Sequence, residues 1–484
     1  MDILSRAVRK YSELLAISIS SYRDYLSLQR ELITAIIGVI LSLSLATITT
    51  LLLGTIPYSV GLSIALAISG SVLSLHKILA RVSRSLEKAK GLSEELPYLV
   101  FMASAITRTG LELIEAIHFI STSEAGVFRY FKSLSRRLIN ASKYIGFEEA
   151  LDRLAGIPRG VKKTLITYLS SISLGTGIET LNTLGLEMIR EASRRASRSI
   201  DLAAQIGLVI TMVLTTIPIL VLGISSILGD HIALSTGIMV SLGTPVAVLL
   251  LPQTPLPLRL IISGDKMLRV SLLSVLSIGL IVLAYVSIYL LALSIIQMNI
   301  MKSIIIILSI AMIIVGIPWL VIFANYLAGF GRARDILVSI SSYAKAYRTL
   351  DGLDLDKEAQ KVGSYAPWIL HYIIFSLVFF REKGGVEPVV ITRFSEEIMD
   401  VMAKNTNRIV GSLLSLTATL AQPIMLAQIV PMMGSAAHSL GMIVMLLSSV
   451  TVSSLIASKI FFGTARNTII MGMCFLLLYI LLLR

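Results

Sequence analysis

The chain is short of almost everything that a catalytic site is built from. Its 484 residues include one cysteine, two tryptophans and five histidines, and only 15% of them are charged. The lone Cys474 leaves no disulfide framework. His76, His118, His231, His371 and His438 are scattered, with no two at the spacing of a helical metal site, so no metal ligand is assigned. No Gly-Lys pair occurs, which excludes a phosphate-binding loop ending in Gly-Lys-Ser/Thr. Neither a His-Glu-x-x-His helix nor a Gly-x-Ser-x-Gly elbow is present. No catalytic residue and no cofactor follow from the sequence, and the chain reads as non-enzymatic. The one acidic cluster, Asp351, Asp354 and Asp356, is read as the cap of a helix starting near Lys357.

What is abundant is apolar sequence. Hydrophobic residues make up 55% of the chain, and the mean hydropathy is +0.85, outside the range of ordinary soluble domains. Runs of about 20 apolar residues, each long enough to cross the hydrocarbon as a helix, fall at Leu32–Leu53, Tyr58–Leu79, Ile206–Leu228, Ile232–Leu251, Val270–Ile296, Ile304–Leu327, Ile409–Ile429, Ser439–Ile456 and Thr468–Leu483. The serine-rich Ser439–Ile456 has the weakest signal. The expected fold is all-α: a polytopic membrane protein of about nine spans.

Charge gives these spans a direction. Lys and Arg total 42 against 29 Asp and Glu, and they crowd the N-terminus and the loops Arg81–Arg198, Arg259–Arg269 and Arg332–Arg408, with Lys459 and Arg466. The opposite connections and the tail carry only Lys302 and Arg484. The positive-inside bias therefore puts the N-terminus in the cytoplasm and the C-terminus outside a cell membrane. The net charge of +13 suits anionic lipid headgroups or an acidic protein surface better than nucleic acid.

The expected organisation is a cytoplasmic segment 1–31, a transmembrane hairpin 32–79, a cytoplasmic helical domain 80–205, a hairpin 206–251 and a proline-rich linker 252–269. A hairpin 270–327, a shorter helical domain 328–408, a hairpin 409–456 and a last helix 468–483 follow. The two helical domains look like copies. Ala359, Pro367 and Gly384 each lie 209 positions after Ala150, Pro158 and Gly175, so the halves are parallel repeats. In the first copy Leu96-Pro97 is expected to open a helix that Gly110 ends. Phe128–Ile145 reads as a basic amphipathic helix closed by Gly146. Phe147–Leu154 and Val161–Leu174 come next, and Gly175-Thr-Gly177 turns the chain into a helix running on towards the third span. The second copy lacks the first two helices, and neither copy carries a sheet signal.

Two classes of function compete at this stage. A transporter needs ionisable groups inside its spans; here Asn325, Gln422 and Gln428 are the most polar residues available. A membrane prenyltransferase-like enzyme needs a second Asp-rich motif, and there is none. The remaining feature is basic surface: Arg136, Arg137, Lys162, Lys163, Arg194 and Arg195 in the first block, and Arg381 and Lys383 in the second, are candidates for docking a partner.

The motif residues resemble the type II secretion F family, the membrane platforms of type IV pili, type II secretion and the archaellum. Pro97, Gly110, Gly146, Ala150, Pro158, Gly175 and Gly177 carry the resemblance in the first copy. Ala359, Pro367, Gly384 and Gly385 carry it in the second, which departs by losing two helices and the second glycine of Gly-x-Gly. The number of spans is similar to that of the archaeal branch. The resemblance implies a homodimeric platform at the base of a filament, on which a hexameric secretion ATPase docks while pilin-like subunits leave the membrane. On that reading the eight basic residues are the ATPase-docking candidates.

Overall fold

The computed structural model describes residues 22–52, 74, 86–106, 112–123, 126–154, 157–228, 230–262, 266–292, 298–347, 365–383, 388–429 and 439–483. The fold is all-α. In chain order the helices are α1 (Tyr22–Leu52), α2 (86–104), α3 (Glu112–Thr122), α4 (Arg129–Ile145), α5 (Phe147–Arg153), α6 (Arg159–Ser173), α7 (Gly177–Leu228) and α8 (Asp230–Leu250). They continue with α9 (Met267–Ala292), α10 (Met298–Tyr347), α11 (Trp368–Lys383), α12 (Pro388–Ile429), α13 (Leu440–Phe462) and α14 (Ile469–Leu478).

Four helical stretches are long and apolar enough to cross a membrane: Gly177–Val221, Met267–Ala292, Ile300–Tyr343 and Leu440–Phe462. Shorter apolar stretches lie at Ile33–Leu45, Ile232–Ser241, Leu413–Leu426 and Ile469–Leu481, and these eight coincide with eight of the nine expected spans. Tyr58–Leu79 lies outside the described residues except for Ser74. Exposed leucine, isoleucine and valine side chains line α9 and α10, among them Leu272, Val275, Ile307 and Ile314. Such faces suit hydrocarbon, not water.

The serine-rich α13 is the centre of the apolar part. Every residue from Gly441 to Ser458 is buried. The small hydroxyl residues that weaken its hydropathy are what let neighbours approach closely. A Cβ added to Gly237 of α8 would lie 2.8 Å from the Met445 backbone, so only glycine fits there.

Helix-breaking prolines inside α7 and α12 are accommodated by name. Pro218 has no N–H to give to the Leu214 carbonyl one turn back. Gln422 Nε2 donates to that oxygen at 3.3 Å, and Gln422 Oε1 accepts from Ser453 Oγ. Pro423 likewise leaves the Thr419 carbonyl, and the Cys474 thiol donates to it at 3.7 Å. Satisfying these carbonyls matters most where no water can.

Contacts between the halves recur at nearly constant separation. Arg190 pairs with Glu397 across α7 and α12, 207 positions apart, and Leu214 accepts from Gln422 208 positions on. Ser241 Oγ donates to Ser448 Oγ, 207 apart, and Lys459 Nζ donates to the Leu251 carbonyl, 208 apart. Helix α7 thus lies parallel to α12, and α8 parallel to α13.

Three sequence expectations need correction. Pro97 does not open a helix, because α2 runs through it from residue 86. The polar stretch before it is amphipathic, with Leu92 and Leu96 buried, and this packing outweighs the proline. A two-stranded antiparallel sheet does exist, pairing β1 (Leu260–Ile262) of the linker with β2 (Tyr365–Pro367). Strands of three residues are too short to leave a period-two pattern. The two cytoplasmic regions, expected as separate domains, share one hydrophobic core in their described residues. It runs from Leu92 to Ile189 and from Ala333 to Met402.

Candidate functional site

The basic docking candidates sit on amphipathic helices whose apolar faces are already committed. Helix α4 buries Phe131, Leu134, Ser135 and Leu138, which leaves Arg136, Arg137, Lys143 and Tyr144 on its outer face. Tyr144 is 88% exposed, an unusual position for a large ring. Helix α6 buries Val161, Leu165, Tyr168 and Ser171, leaving Arg159 and Lys163 outside with Leu174, which is 78% exposed.

The eight candidates divide by what they already hold. Arg136 Nε donates to the Ser121 carbonyl at 3.0 Å. Lys162 lies 2.6 Å from the Asp152 carboxylate, and this contact holds the Asp152 pKa below its usual value. Arg195 Nε donates to Glu191 at 3.0 Å, the i,i+4 pair expected from the sequence. Lys383 lies 3.7 Å from Glu115, and Arg381 also has a partner. Among the described residues, Arg137, Lys163 and Arg194 make no ion pair, and all three are exposed. The structure does not gather the eight into one cluster. They spread over α4, α6, α7 and α11.

The residues of the family-like motif are positioned by local geometry. Gly146 has φ 80° and ends α4; Ala150 is buried in α5; Pro158 precedes α6. Gly175 has φ 74°, and with Thr176 it closes α6: Thr176 N–H donates to the Ser171 carbonyl and Gly175 N–H to the Ile172 carbonyl. This paired closure needs a left-handed residue, hence glycine. Gly177 begins α7 and Pro367 ends β2. Gly110, Ala359, Gly384, Gly385 and the Asp351–Asp356 cluster lie outside the described residues.

Two features escaped the sequence reading. The first is Glu95, 1% exposed, whose carboxylate accepts from the Phe131 N–H at 2.8 Å and the Tyr130 N–H at 3.2 Å. It therefore caps α4 from another helix. Burial pushes its pKa up to about 8, against the pull of those two N–H groups and of Arg259. Its neighbour Glu94 binds Arg259, which also donates to the Thr254 carbonyl at 3.2 Å. The proline-rich linker is thereby tied to α2.

The second is a cavity of about 890 Å³ lined by residues of α2, the linker, α9, α10 and the end of α13. One wall is an aromatic stripe on α10: Trp319, Phe323, Tyr326 and Phe330. Their spacing of four, three and four residues puts them on one helix face, a signal that was legible in the sequence and passed over among so many apolar residues. Phe461 and Phe462 from the end of α13 pack on Phe323 at 5.1 and 5.0 Å. Five cations, Lys90, Arg129, Arg259, Lys459 and Arg466, line the cavity against two carboxylates, Glu87 and Glu95.

No protein-family model, no curated protein and no solved structure matches the chain.

Proposed function

We propose that the chain is a non-enzymatic platform in the cell membrane, of the kind that type IV pili, archaella and type II secretion use. A hexameric secretion ATPase would dock on its cytoplasmic face, and pilin-like subunits would pass along its spans. The observation that carries this reading is mechanical. Helices α7, α10 and α12 run without interruption from the shared cytoplasmic core into the apolar part. At 52 residues α7 is about 78 Å long at 1.5 Å per residue. A push or twist on the cytoplasmic core is transmitted through such continuous rods without a joint. The motif resemblance and the unpaired exposed cations support the same reading.

In this reading all nine apolar stretches cross the membrane, with the N-terminus inside and the C-terminus outside. The parallel pairing of α7 with α12 and α8 with α13 supports an internal duplication. It brings two equivalent halves together within one chain, the arrangement that the resemblance assigns to a homodimer.

The test is binding of candidate secretion ATPases to the detergent-solubilised protein, read as a change in ATP turnover. Arg137→Glu with Lys163→Glu should weaken binding at least tenfold and leave folding intact, since both side chains are exposed and neither makes an ion pair among the described residues. Arg136 and Lys162 are poorer choices, because their reversal disturbs bonds inside the domain. Unchanged binding of the double variant would remove α4 and α6 from the docking surface. A failure of every such ATPase to bind would remove the platform itself.

A further inference from the structure

We infer that the cavity lined by α2, the linker, α9, α10 and the end of α13 is a binding site for an anionic amphiphile, a phosphate-bearing headgroup with a hydrocarbon chain. This inference goes beyond the platform reading and does not depend on it.

The cavity has two kinds of lining. Its apolar lining includes Trp319, Phe323 and Ile322 of α10 with Phe461 and Phe462. Val270, Trp319 and Ile322 form a small core of their own here. Its polar lining includes the five cations. Three of them are already engaged: Lys90 with Glu94 and Gln253, Arg259 with Glu94, and Lys459 with the Val248 and Leu251 carbonyls that end α8. Arg466 is exposed, and its guanidinium donates to the Ser274 hydroxyl at 3.4 Å. Arg129 is exposed and holds no ion pair among the described residues.

Charge balance gives the sign of the ligand. Five cations line the cavity with Glu87 and Glu95, and Glu94 pairs with Lys90 and Arg259 beside it, so cations outnumber carboxylates even before burial raises the Glu95 pKa to about 8. The excess is positive, and guanidinium groups suit phosphate oxygens by geometry as well as charge. Size gives the class: about 890 Å³ lies within the range of small-molecule pockets, roughly 300–1,000 Å³, and a free phosphate would leave the aromatic wall unfilled. An amphiphile places its phosphate at Arg466 and Arg129 and its first methylenes against Phe323 and Trp319. The location agrees, since rings of this kind concentrate at the level of lipid headgroups.

The experiment uses the full chain purified in a neutral detergent. Retention of phosphatidylglycerol is measured by native mass spectrometry, beside phosphatidylcholine and, in a separate arm, glycerol phosphate by thermal shift. One phosphatidylglycerol should be retained, at least tenfold more strongly than phosphatidylcholine, while glycerol phosphate at equal concentration gives no shift. Arg466→Glu should reduce retention about tenfold without lowering the melting temperature of the lipid-free protein. Thr464→Trp, which fills the cavity from its rim, should do the same by bulk instead of charge. Equal retention of both lipids, or retention unaffected by both variants, would mean ordinary annular lipid and would overturn the site. A shift with glycerol phosphate as large as that with the lipid would overturn the amphiphile in favour of a soluble phosphate ligand.

Discussion

Helices α6 and α11 lie at the same offset that relates the two expected repeats, yet the protein uses them in opposite ways. Moved by the 209 positions that relate Pro158 to Pro367, α6 falls on 368–382, and α11 occupies Trp368–Lys383. Helix α6 is amphipathic, burying four side chains and turning Arg159, Lys163 and Leu174 outward. Helix α11 buries ten of its sixteen residues, including Trp368, Tyr372, Phe375, Phe379 and Phe380. Its rings pack on α2 and α3: Tyr98 meets Trp368 at 4.9 Å and Tyr372 at 5.3 Å, and Phe119 meets Phe375 at 5.1 Å. Helix α11 is thus core, whereas α6 keeps an exposed face. On the proposed function, α4, α6 and α7 present the exposed cations Arg137, Lys163 and Arg194, while Arg381 and Lys383 sit at the end of a buried helix.

The largest expected effect tests this asymmetry directly. Trp368 is 3% exposed, donates Nε1–H to the Val127 carbonyl at 2.7 Å and stacks on Tyr372. Trp368→Ala should destabilise the protein by about 3–5 kcal/mol. Arg159, 209 positions earlier in α6, is exposed and holds no partner among the described residues, so Arg159→Ala should stay within about 0.5 kcal/mol. Thermal melting of the two variants in detergent reads the contrast. Equal losses would mean that the two helices are not used differently.

Next in size is the pH dependence that Glu95 lends to the first block. The folded state holds its proton up to about pH 8, whereas an unfolded chain releases it near the ordinary glutamate value. Across that window the folded state binds more protons, so stability falls as pH rises and levels off above the folded pKa. Glu95→Gln should flatten this slope while one amide oxygen continues to cap α4. Melting temperatures from pH 5 to pH 8.5 measure it. An unchanged slope would mean that Glu95 is ionised in place.

Inside the apolar part, the contrast is between two ways of repairing a proline. Gln422→Leu leaves the Leu214 carbonyl unpaired and should cost about 1–3 kcal/mol. Cys474→Ala removes only a weak S–H donor from the Thr419 carbonyl and should cost less. Similar losses in the two melting curves would contradict the proline argument.

How much of this was legible in the sequence follows from physical range. Features with a local cause could be read in advance: the amphipathic stripe of α4, the glycine at its end, the turn at Gly175, the i,i+4 pair of Glu191 and Arg195, and the run of α7 towards the apolar part. Features caused by distant partners could not. Pro97 sits inside a helix because Tyr98, Leu99 and Met102 are packed by other segments. Ser439–Ile456 looked weakest because hydropathy scores serine against lipid, whereas α13 faces other helices. The burial and capping role of Glu95 could not be read, since nothing nearby in sequence announces that α4 will begin above it. The cavity required both a stripe on α10 and the loop that follows α13.

The smallest effect bears on how the halves are joined. Arg190 Nε donates to Glu397 at 3.0 Å, linking α7 to α12, and Glu397 raises the Arg190 pKa. The arginine is 57% exposed, so the pair adds no more than about 1 kcal/mol. Its interest is register, because it is the exposed member of the series that includes Leu214 with Gln422 and Ser241 with Ser448. Arg190→Glu should lower stability slightly, and adding Glu397→Arg should restore it, with the rescue fading in high salt. Rescue by the swapped pair would place these two side chains together in solution and fix α7 parallel to α12 at that level. Independent, additive losses would leave the parallel pairing of the halves to the buried contacts alone.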